Sequence, residues 1–311
     1  GLTASYRKTS DAITRDINYY KLNFPLDISN NEPNPYSQKE FEKSPLNRVL
    51  QQAFPGADWA LNKGHDLKLE YQYNSNNEVK LYVVTLNLTN NTFTPTLSLS
   101  AVNGGYYPSG QLYKNITKNE NWISGTNNTT EEFKDKEGHL ILKKTYGISI
   151  VNNVETNTSH ETYYVYDDYG NLTYVMPPRT DGMISESNLN DLCYQYKYDT
   201  KNRLVEKKLP GKDWEYLVYD KLDSPILTQD ANLRTLNKWL FTKFDSFGRV
   251  AYSGEYVDSV NLTRTLMQKA VDDTNVFLET RTNSNVNIGS TDVNYTNNVF
   301  PTGTAANTNV S

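Results

Sequence analysis

The feature that most constrains the fold of this 311-residue chain is a short motif that occurs five times. Each copy begins with Asp, passes through two variable residues to a turn-forming residue, and reaches an aliphatic position two residues later. Asp favours the start of a type I turn, where its carboxylate accepts a backbone N–H, and Gly, Asn and Asp tolerate a left-handed backbone. The motif therefore predicts five β-hairpin turns, each a three-residue loop closed by a bulge. The pairs are Asp135 with Gly138, Asp167 with Gly170, Asp199 with Asn202, Asp220 with Asp223, and Asp245 with Gly248.

Aromatic residues accompany the motif. Tyr166, Tyr198, Tyr219 and Phe244 immediately precede the Asp of four copies, whereas Phe133 stands two positions before Asp135. The flanking segments alternate with period two, which is the pattern of β-strands, and both strand faces carry rings. The fourth copy is the weakest, because Pro225 occupies its aliphatic position. The sequence predicts a mainly β fold: an array of antiparallel β-hairpins with a few short helices.

The chain is predicted to comprise three regions. Residues 1–66 form a lead-in, residues 67–256 the repeat region, and residues 257–311 a short helix, a strand and a flexible C-terminal tail. A helix is predicted near 44–54, with Ser44 as its N-cap and Pro45 as its first residue. A second helix is predicted over 263–271, with one face that carries Leu266, Met267, Ala270 and Val271.

Composition and charge exclude several classes of partner. The net charge is −5, and basic residues form no run longer than pairs such as Lys143-Lys144. Affinity for nucleic acid comes mainly from neutralised phosphates, so no nucleic-acid partner is expected. No apolar stretch approaches the length of a membrane-spanning helix, so no membrane insertion is expected. The first residues do not resemble a signal peptide, which predicts either a processed protein or a segment of a longer chain.

No catalytic, cofactor-binding or metal-binding residue is predicted, and no cofactor. Cys193 is the single cysteine, so it forms no internal disulfide, and its strand context favours a buried thiol. The Asp residues of the repeat lack the dense ligand spacing of a calcium loop, which favours a turn-capping role. The chain is therefore not expected to be an enzyme. A hydrolase with sequence-distant carboxylates stays open as an alternative, because such groups can converge in a fold.

The repeat resembles that of a known family. Tyr-Asp-x-x-Gly-Asn-Leu-Thr at 166–173 and Phe-Asp-x-x-Gly-Arg-Val at 244–250 are similar to the YD repeats of bacterial Rhs proteins. Teneurins and the shell subunits of insecticidal toxin complexes share this repeat type. The segment from Ser44 to His65 resembles the lead-in found before YD repeats. The resemblance extends over about residues 30–300 and is most specific at 163–252.

The resemblance implies a curved or spiralling sheet that forms part of an Rhs shell. Five repeats are too few to close such a shell, and the family's Asp-Pro-x-Gly autocleavage motif is absent, so that activity is not expected. The implied function is a non-catalytic wall that encloses or presents a C-terminal toxin or effector. The implied partners are the remainder of a larger chain and this effector, with secretion machinery or cell-surface glycan as further partners. The implied location is secreted or on a bacterial cell surface. An adhesion or glycan-binding module that uses exposed aromatics is the alternative.

Overall fold

The computed structural model shows a mainly β protein. Antiparallel strands dominate the described residues, and the helices are few, so the predicted fold class is confirmed. The structure describes residues 9–25, 34, 36–151, 154–288, 291–302 and 308–310.

Helices and strands follow one another along the whole chain. The helices are α1 (Thr9–Asn23), α2 (Glu186–Asp191), α3 (Ala231–Thr235) and α4 (Arg264–Asp272). The strands of the first half are β1 (Gln38–Phe41), β2 (Val49–Ala53), β3 (Leu67–Tyr73), β4 (Tyr82–Thr89), β5 (Thr92–Leu99), β6 (Tyr113–Lys118), β7 (Thr129–Lys134), β8 (Leu140–Val151) and β9 (Val154–Tyr166). Those of the second half are β10 (Leu172–Met176), β11 (Tyr194–Asp199), β12 (Leu204–Lys208), β13 (Glu215–Tyr219), β14 (Pro225–Gln229), β15 (Lys238–Phe244), β16 (Val250–Val257), β17 (Arg281–Ile288), β18 (Thr291–Tyr295) and β19 (Thr308–Val310).

The chain divides into two compact units. The first comprises Gly1–Leu81 and Ser100–Tyr163, and the second comprises Tyr82–Leu99 and Tyr164–Ser311. Each of the three regions predicted from sequence is one continuous stretch. In the structure, by contrast, the β4–β5 hairpin belongs to the same unit as the second half of the chain.

The first unit is built on one antiparallel ladder. Its strands pair in the order β1-β2-β3-β6-β7-β8-β9. Phe133 on β7 and Leu142 on β8 are paired neighbours and fully buried. Ion pairs connect the strands, including Lys114 with Glu131 at 3.1 Å and Lys144 with Glu161 at 2.9 Å. This face of the sheet is therefore held by charges as well as by backbone bonds.

The helix predicted near 44–54 is wrong, because these residues form a turn followed by β2. Asn47 has a left-handed φ of 50°, and its N–H donates to Ser44 O at 3.1 Å. The carboxylate of Glu42 accepts two bonds of 2.8 Å from the guanidinium of Arg48 across this turn. Hydrogen bonds from Arg48 and Ser44 lower the pKa of Glu42 to about 2. β2 then pairs with β1 and β3, and this two-sided ladder outweighs the helical spacing of its apolar residues.

The second unit carries four of the five predicted turns. Its strands pair in the order β10-β11-β12-β13-β14-β15-β16-β19, and the start of β5 pairs with the end of β11. Asn90 and Asn91 connect β4 to β5 with φ of 49° and 61°, as a two-residue hairpin loop requires. Within the tail expected to be flexible, Thr308–Val310 instead form β19 beside β16. Residues 303–307 and 311 lie outside the described residues.

Helix α4 closes the core of the second unit. It spans Arg264–Asp272, where the sequence predicts a helix, and the Thr263 side chain accepts the N–H of Leu266 at its N-terminus. Met267 and Val271 are fully buried against a cluster that includes Trp239 and Phe241. The predicted apolar face is wrong in part, because Leu266 is 46% exposed. The helix is rotated so that Arg264, and not Leu266, joins the buried face.

Candidate functional site

The five predicted turns share one backbone geometry, and they are called turns 1 to 5 in chain order, with the Asp as first position. In each turn the N–H of the fourth residue donates to the O of the Asp at 2.9–3.2 Å. The N–H of the Asp donates to the O of the fifth residue at 2.9–3.0 Å. The fourth residues are left-handed, with φ of 92° at Gly138, 78° at Gly170, 58° at Asn202, 61° at Asp223 and 73° at Gly248. The turn chemistry read from the sequence therefore corresponds to a repeated backbone requirement.

One carboxylate oxygen of each Asp caps the backbone of its turn. Oδ1 accepts the N–H of the fifth residue at 2.7–3.0 Å in all five turns. In turns 2 to 5 it also accepts the N–H of the third residue at 2.9–3.0 Å. These Asp residues act as local acceptors for loop N–H groups, as the sequence pattern predicts.

The other carboxylate oxygen accepts a hydrogen bond from a side chain that the sequence analysis missed. Oδ2 accepts His139 Nδ1 at 2.9 Å, Asn171 Nδ2 at 3.2 Å, Arg203 Nε at 2.8 Å and Arg249 Nε at 2.8 Å. Each of these residues is fifth in its turn. The sequence does contain a sign of this contact: in four copies the residue after the left-handed position is His, Asn or Arg, each with a nitrogen that can donate. Turn 4 differs, because Ser224 stands there and the buried Oδ2 of Asp220 has no hydrogen-bond partner in the described residues.

The charge pairs of turns 3 and 5 are well formed. Arg249 donates to Asp245 through both Nε and Nη2, at 2.8 and 2.7 Å. This hydrogen-bonded guanidinium lowers the pKa of Asp245 to about 2. Arg203 pairs with Asp199 in the same way, at 2.8 and 2.6 Å. In both pairs the two guanidinium nitrogens contact the same oxygen, Oδ2, which fixes the loop geometry and neutralises the acid.

Side chains connect turns 2, 3 and 4 within the second unit. Asn171 Nδ2 donates to Asn202 Oδ1 at 3.3 Å. Arg203 Nη1 donates to Asp223 Oδ1 at 2.7 Å, and Lys201 Nζ reaches the same oxygen at 3.0 Å. The two cations lower the pKa of Asp223, Lys201 contributing most. The left-handed Asn and Asp thus serve as links between neighbouring hairpins, which a Gly at those positions could not provide.

Tyrosines of the repeat connect each hairpin to the preceding one. The Tyr198 hydroxyl donates to Leu172 O at 2.9 Å, and the Tyr219 hydroxyl donates to Leu204 O at 2.8 Å. In both cases the acceptor is the sixth position of the previous turn. Burial raises the pKa of Tyr198 to about 12, so its hydroxyl remains a donor at neutral pH.

The other repeat aromatics take different environments. Tyr166 and Phe244 are half-buried, and Phe244 has no hydroxyl to make the corresponding bond. Phe133 is fully buried, and Lys134 occupies the place that the rings take in the other copies. In four copies the pairing of the two strands that flank the turn is described, and each copy has a β-bulge at the residue before the Asp. These residues are Lys134, Tyr198, Tyr219 and Phe244. Phe133 therefore lies on the opposite strand face and is not equivalent to the tyrosines.

The third position of three turns presents a large apolar side chain to solvent. Tyr169 is 59% exposed, Leu222 is 53% exposed and Phe247 is 81% exposed. Tyr169 lies 5.5 Å from the ring of Phe93, and the Arg249 guanidinium lies 4.9 Å from the ring of Phe247. This exposed row was not predicted, because the third position varies between copies.

Other chemistry is sparse in the part of the chain that the structure describes. No group of three or more His, Cys, Asp or Glu side chains is placed to hold a metal ion there. Cys193 is buried, which raises its pKa to about 11 and disfavours the thiolate. A polar cleft of about 340 Å³ in the second unit is lined by residues of both charge signs, among them Arg203, Arg264 and Asp272. Among the described helices, none has the length and apolar character needed to span a membrane.

Comparison with known proteins gives limited matches. A family described as a domain of unknown function, DUF6443, matches residues 2–73. No curated protein matches the sequence. A crystal structure of TcdB2-TccC3 without its hypervariable C-terminal region is similar over 95% of this chain and 18% of that chain, at 13% identity and a TM-score of 0.36. Crystal structures of TcdB2-TccC3-Cdc42 and TcdB2-TccC3-TEV match at 11% and 12% identity, with TM-scores of 0.35 and 0.34, over 95% and 84% of this chain. The chain spans 14–18% of the length of these solved chains.

Proposed function

We propose that this chain is a structural segment of a large exported protein of the Rhs/YD-repeat type. Its hairpins form part of a wall that encloses or presents a C-terminal toxin or effector, and the segment itself carries out no catalytic turnover. The single observation that carries this proposal is the repeated turn, in which one Asp caps the loop and its neighbours connect successive hairpins. The resemblance of 166–173 and 244–250 to YD repeats supports the same assignment.

The physical basis of the wall is the coupling between hairpins. Backbone ladders join strand to strand, and each repeat adds side-chain bonds to the one before it, such as Tyr219 to Leu204 O and Arg203 to Asp223. In repeat architectures, stability grows with the number of such nearest-neighbour interfaces. A wall of this kind acts by resisting local opening, because each hairpin is held on both sides. The partners are the remainder of the larger chain and its effector, and the location is secreted or at a bacterial cell surface.

Protease protection in the full-length parent protein tests this function. We expect the effector segment to resist protease in the intact protein and to be cleaved rapidly when it is produced alone. Gly170→Val should expose it, because φ of 78° strains a β-branched residue by about 1 to 3 kcal/mol. Gly170→Asn is the matched control and should retain protection, since Asn occupies the same position at 202. Equal cleavage of the effector in the intact protein and in isolation would refute the proposal.

A second candidate function rests on the exposed third-position side chains. Tyr169 and Phe247 are aromatic, largely exposed and located on turns, where rings can stack on the apolar face of a sugar. An adhesion or glycan-binding module would use this row. Binding on a glycan array that is lost in the Tyr169→Ala/Phe247→Ala double variant, and kept in Tyr73→Ala, supports it. Tyr73 is 61% exposed but lies outside the turns, so it controls for the loss of an exposed ring. No binding by the unaltered protein would exclude it.

A further inference from the structure

A buried lysine, a buried glutamate and an asparagine meet in the second unit, beside turn 5. Lys243 lies on β15, Glu279 lies two residues before β17, and Asn297 lies two residues after β18. The side chains of Lys243 and Glu279 are 1% and 0% exposed. None of the three residues belongs to the repeat motif, and Lys243 and Asn297 are 54 positions apart in the sequence. The fold thus places a buried primary amine against the side-chain amide of a half-buried asparagine.

The amine and the amide are in direct contact. Lys243 Nζ lies 2.5 Å from Asn297 Oδ1. The carbonyl carbon is one C=O bond from that oxygen, so it lies no more than about 3.7 Å from Nζ. Reacting atoms in a near-attack geometry are about 3 to 3.5 Å apart, so a small movement of either side chain brings nitrogen and carbon to bonding approach.

The surroundings of Lys243 favour the neutral amine, which is the nucleophilic form. Burial lowers the pKa of Lys243 to about 8, against the opposing effect of the Glu279 carboxylate. Nζ lies 5.1 Å from the ring centroid of Tyr252 and 5.6 Å from that of Phe241. Exclusion of water disfavours a buried ammonium ion, and this effect outweighs the attraction of the two ring faces for a cation. The Pro301 O accepts a bond from Nζ at 3.0 Å and fixes its position.

Groups that assist the reaction are in place on both sides. The Tyr252 hydroxyl has three acceptors in reach: Asn297 Oδ1 at 2.8 Å, Thr296 O at 2.9 Å and Glu279 Oε1 at 3.2 Å. When its single proton is directed at Asn297 Oδ1, it polarises the carbonyl and stabilises negative charge that develops on that oxygen. Glu279 Oε1 lies 3.6 Å from Nζ, within reach of the proton that the amine must lose. The backbone N–H groups of Asn298 and Val299 hold the Glu279 carboxylate at 3.1 and 3.0 Å. The acid is therefore anchored beside the amine by the backbone that directly follows Asn297.

We propose that Lys243 and Asn297 become joined by an intramolecular isopeptide bond that forms spontaneously in the folded chain. The neutral Nζ attacks Cγ of Asn297, and the Nζ–Cγ bond forms. Glu279 accepts a proton from Nζ and delivers it to Nδ2, the Cγ–Nδ2 bond breaks, and one molecule of ammonia leaves. No oxidant, reductant or metal is required, and the reaction occurs once per chain.

The bond would fasten the hairpin of β17 and β18 to the repeat sheet. It connects β15 to the segment that follows β18 and closes a covalent loop that contains β16, α4, β17 and β18. A cross-link over a loop of this size restricts the unfolded chain and so favours the folded state. A wall that must resist pulling gains most from such a link, although the bond itself does not depend on the proposed function.

Mass spectrometry of the purified full chain tests the bond directly. We expect the intact mass to fall below the sequence mass by one ammonia molecule. A tryptic digest should contain a branched peptide that joins Lys243 to Asn297, because trypsin does not cleave after an acylated lysine. An intact mass equal to the sequence mass, with cleavage after Lys243, would overturn the proposal.

Three variants separate the chemistry from folding. Asn297→Ala removes the electrophile, and Glu279→Gln keeps the size of the acid but removes its negative charge; both should show the full mass for their sequences, with a β-rich circular dichroism spectrum. Lys238→Met is the matched control on β15, because Lys238 pairs with Glu255 at 2.8 Å and should leave the mass deficit unchanged. Loss of ammonia that persists in Asn297→Ala would overturn the assigned partner. Persistence in a folded Glu279→Gln protein would overturn the role of the acid.

Discussion

The fifth residue of each turn controls how well the carboxylate of the Asp at its first position is hydrogen-bonded. Where this residue is Arg, as at 203 and 249, two guanidinium nitrogens hold Oδ2 of the Asp. Where it is Ser224, one buried oxygen of Asp220 has no hydrogen-bond partner among the described residues. A buried acceptor without a partner lowers stability, because its desolvation is not offset. Turn 4 is therefore the weakest of the five for a reason beyond the Pro225 seen in the sequence.

Ser224→Arg should stabilise the protein. The new guanidinium can reach Asp220 Oδ2 as Arg203 reaches Asp199, and we expect a gain of about 1 kcal/mol in the free energy of unfolding. Chemical denaturation followed by circular dichroism measures it. Ser224→Met is the control, since it adds a long side chain without a donor and should give no gain. Equal stability of the Arg and Met variants would contradict this account of turn 4.

The Asp245–Arg249 pair should make stability depend on acidity. The folded-state pKa of Asp245 is lowered from 3.8 to about 2, so its stabilising contribution is complete above 3.8 and is lost as the pH falls towards 2. Arg249→Met removes the pair. The difference in unfolding free energy between the two proteins should be constant above pH 3.8 and should shrink at lower pH. A difference that is the same at pH 6 and at pH 2 would show that the pair contributes nothing through this titration.

The turns could be predicted from individual residues, whereas the side chains that donate to the turn Asp residues could not. A left-handed φ restricts the fourth position to Gly, Asn or Asp, so the residue type at this position already indicates the turn. The donor to Oδ2 varies among His, Asn and Arg, because any nitrogen of suitable reach suffices. The contact of Lys243 with Asn297 depends on the path of 54 residues and has no local signal.

At the scale of elements, helix α4 replaces a missing neighbour in the sheet. β12 and β13 pair only at Glu206 with Tyr216 and at Lys207 with Glu215. Further along β13, at Tyr219, the Gln268 side chain supplies the hydrogen bonds that a paired strand would make. Its Nε2 donates to Tyr219 O at 2.7 Å, and its Oε1 accepts the Tyr219 N–H at 3.1 Å. Gln268 thus pairs with both backbone groups of Tyr219 as a neighbouring strand would.

Gln268→Leu should destabilise the protein by about 1 to 3 kcal/mol, because it leaves two backbone groups of a half-buried strand without partners. Thermal or chemical unfolding of the variant measures this loss. Lys269→Leu is the control on the same helix, since Lys269 is exposed and its pair with Asp273 is a surface ion pair. If both variants lose the same stability, Gln268 has no special role in joining helix and sheet.

Elements were predictable where local chemistry acts alone. The Thr263 N-cap and the Asn90-Asn91 loop follow from cap and turn preferences that need no distant partner. The helix prediction for 44–54 is wrong because the apolar spacing fits a helix, whereas in the fold β2 pairs with a strand on each side. The rotation of α4 is likewise set by the sheet: Arg264 reaches Glu206 at 3.3 Å, and this contact brings a charged residue to the buried face.

At the scale of the whole molecule, neither unit is one continuous stretch of sequence. The β4–β5 hairpin leaves the first half of the chain and belongs to the second unit. There the Tyr174 hydroxyl donates to Pro95 O at 2.7 Å, and the Tyr82 hydroxyl donates to Gly182 O at 2.5 Å. Arg264 of α4 also donates to Thr92 at the start of β5. The second unit therefore depends on residues that precede the first turn.

This dependence predicts how fragments behave. A fragment of residues 164–311 should unfold at lower denaturant than the same fragment with residues 82–99 joined to its N-terminus by a Gly/Ser linker. The hairpin restores several hydrogen bonds of about 1 kcal/mol each, so the expected difference is on the order of 3 kcal/mol. A linked hairpin with Thr92→Val lacks the hydroxyl that accepts from Arg264 and should recover only part of this difference. Fragments of equal stability with and without the hairpin would show that the second unit folds independently of it, and the order of strands along the chain would then place no constraint on assembly.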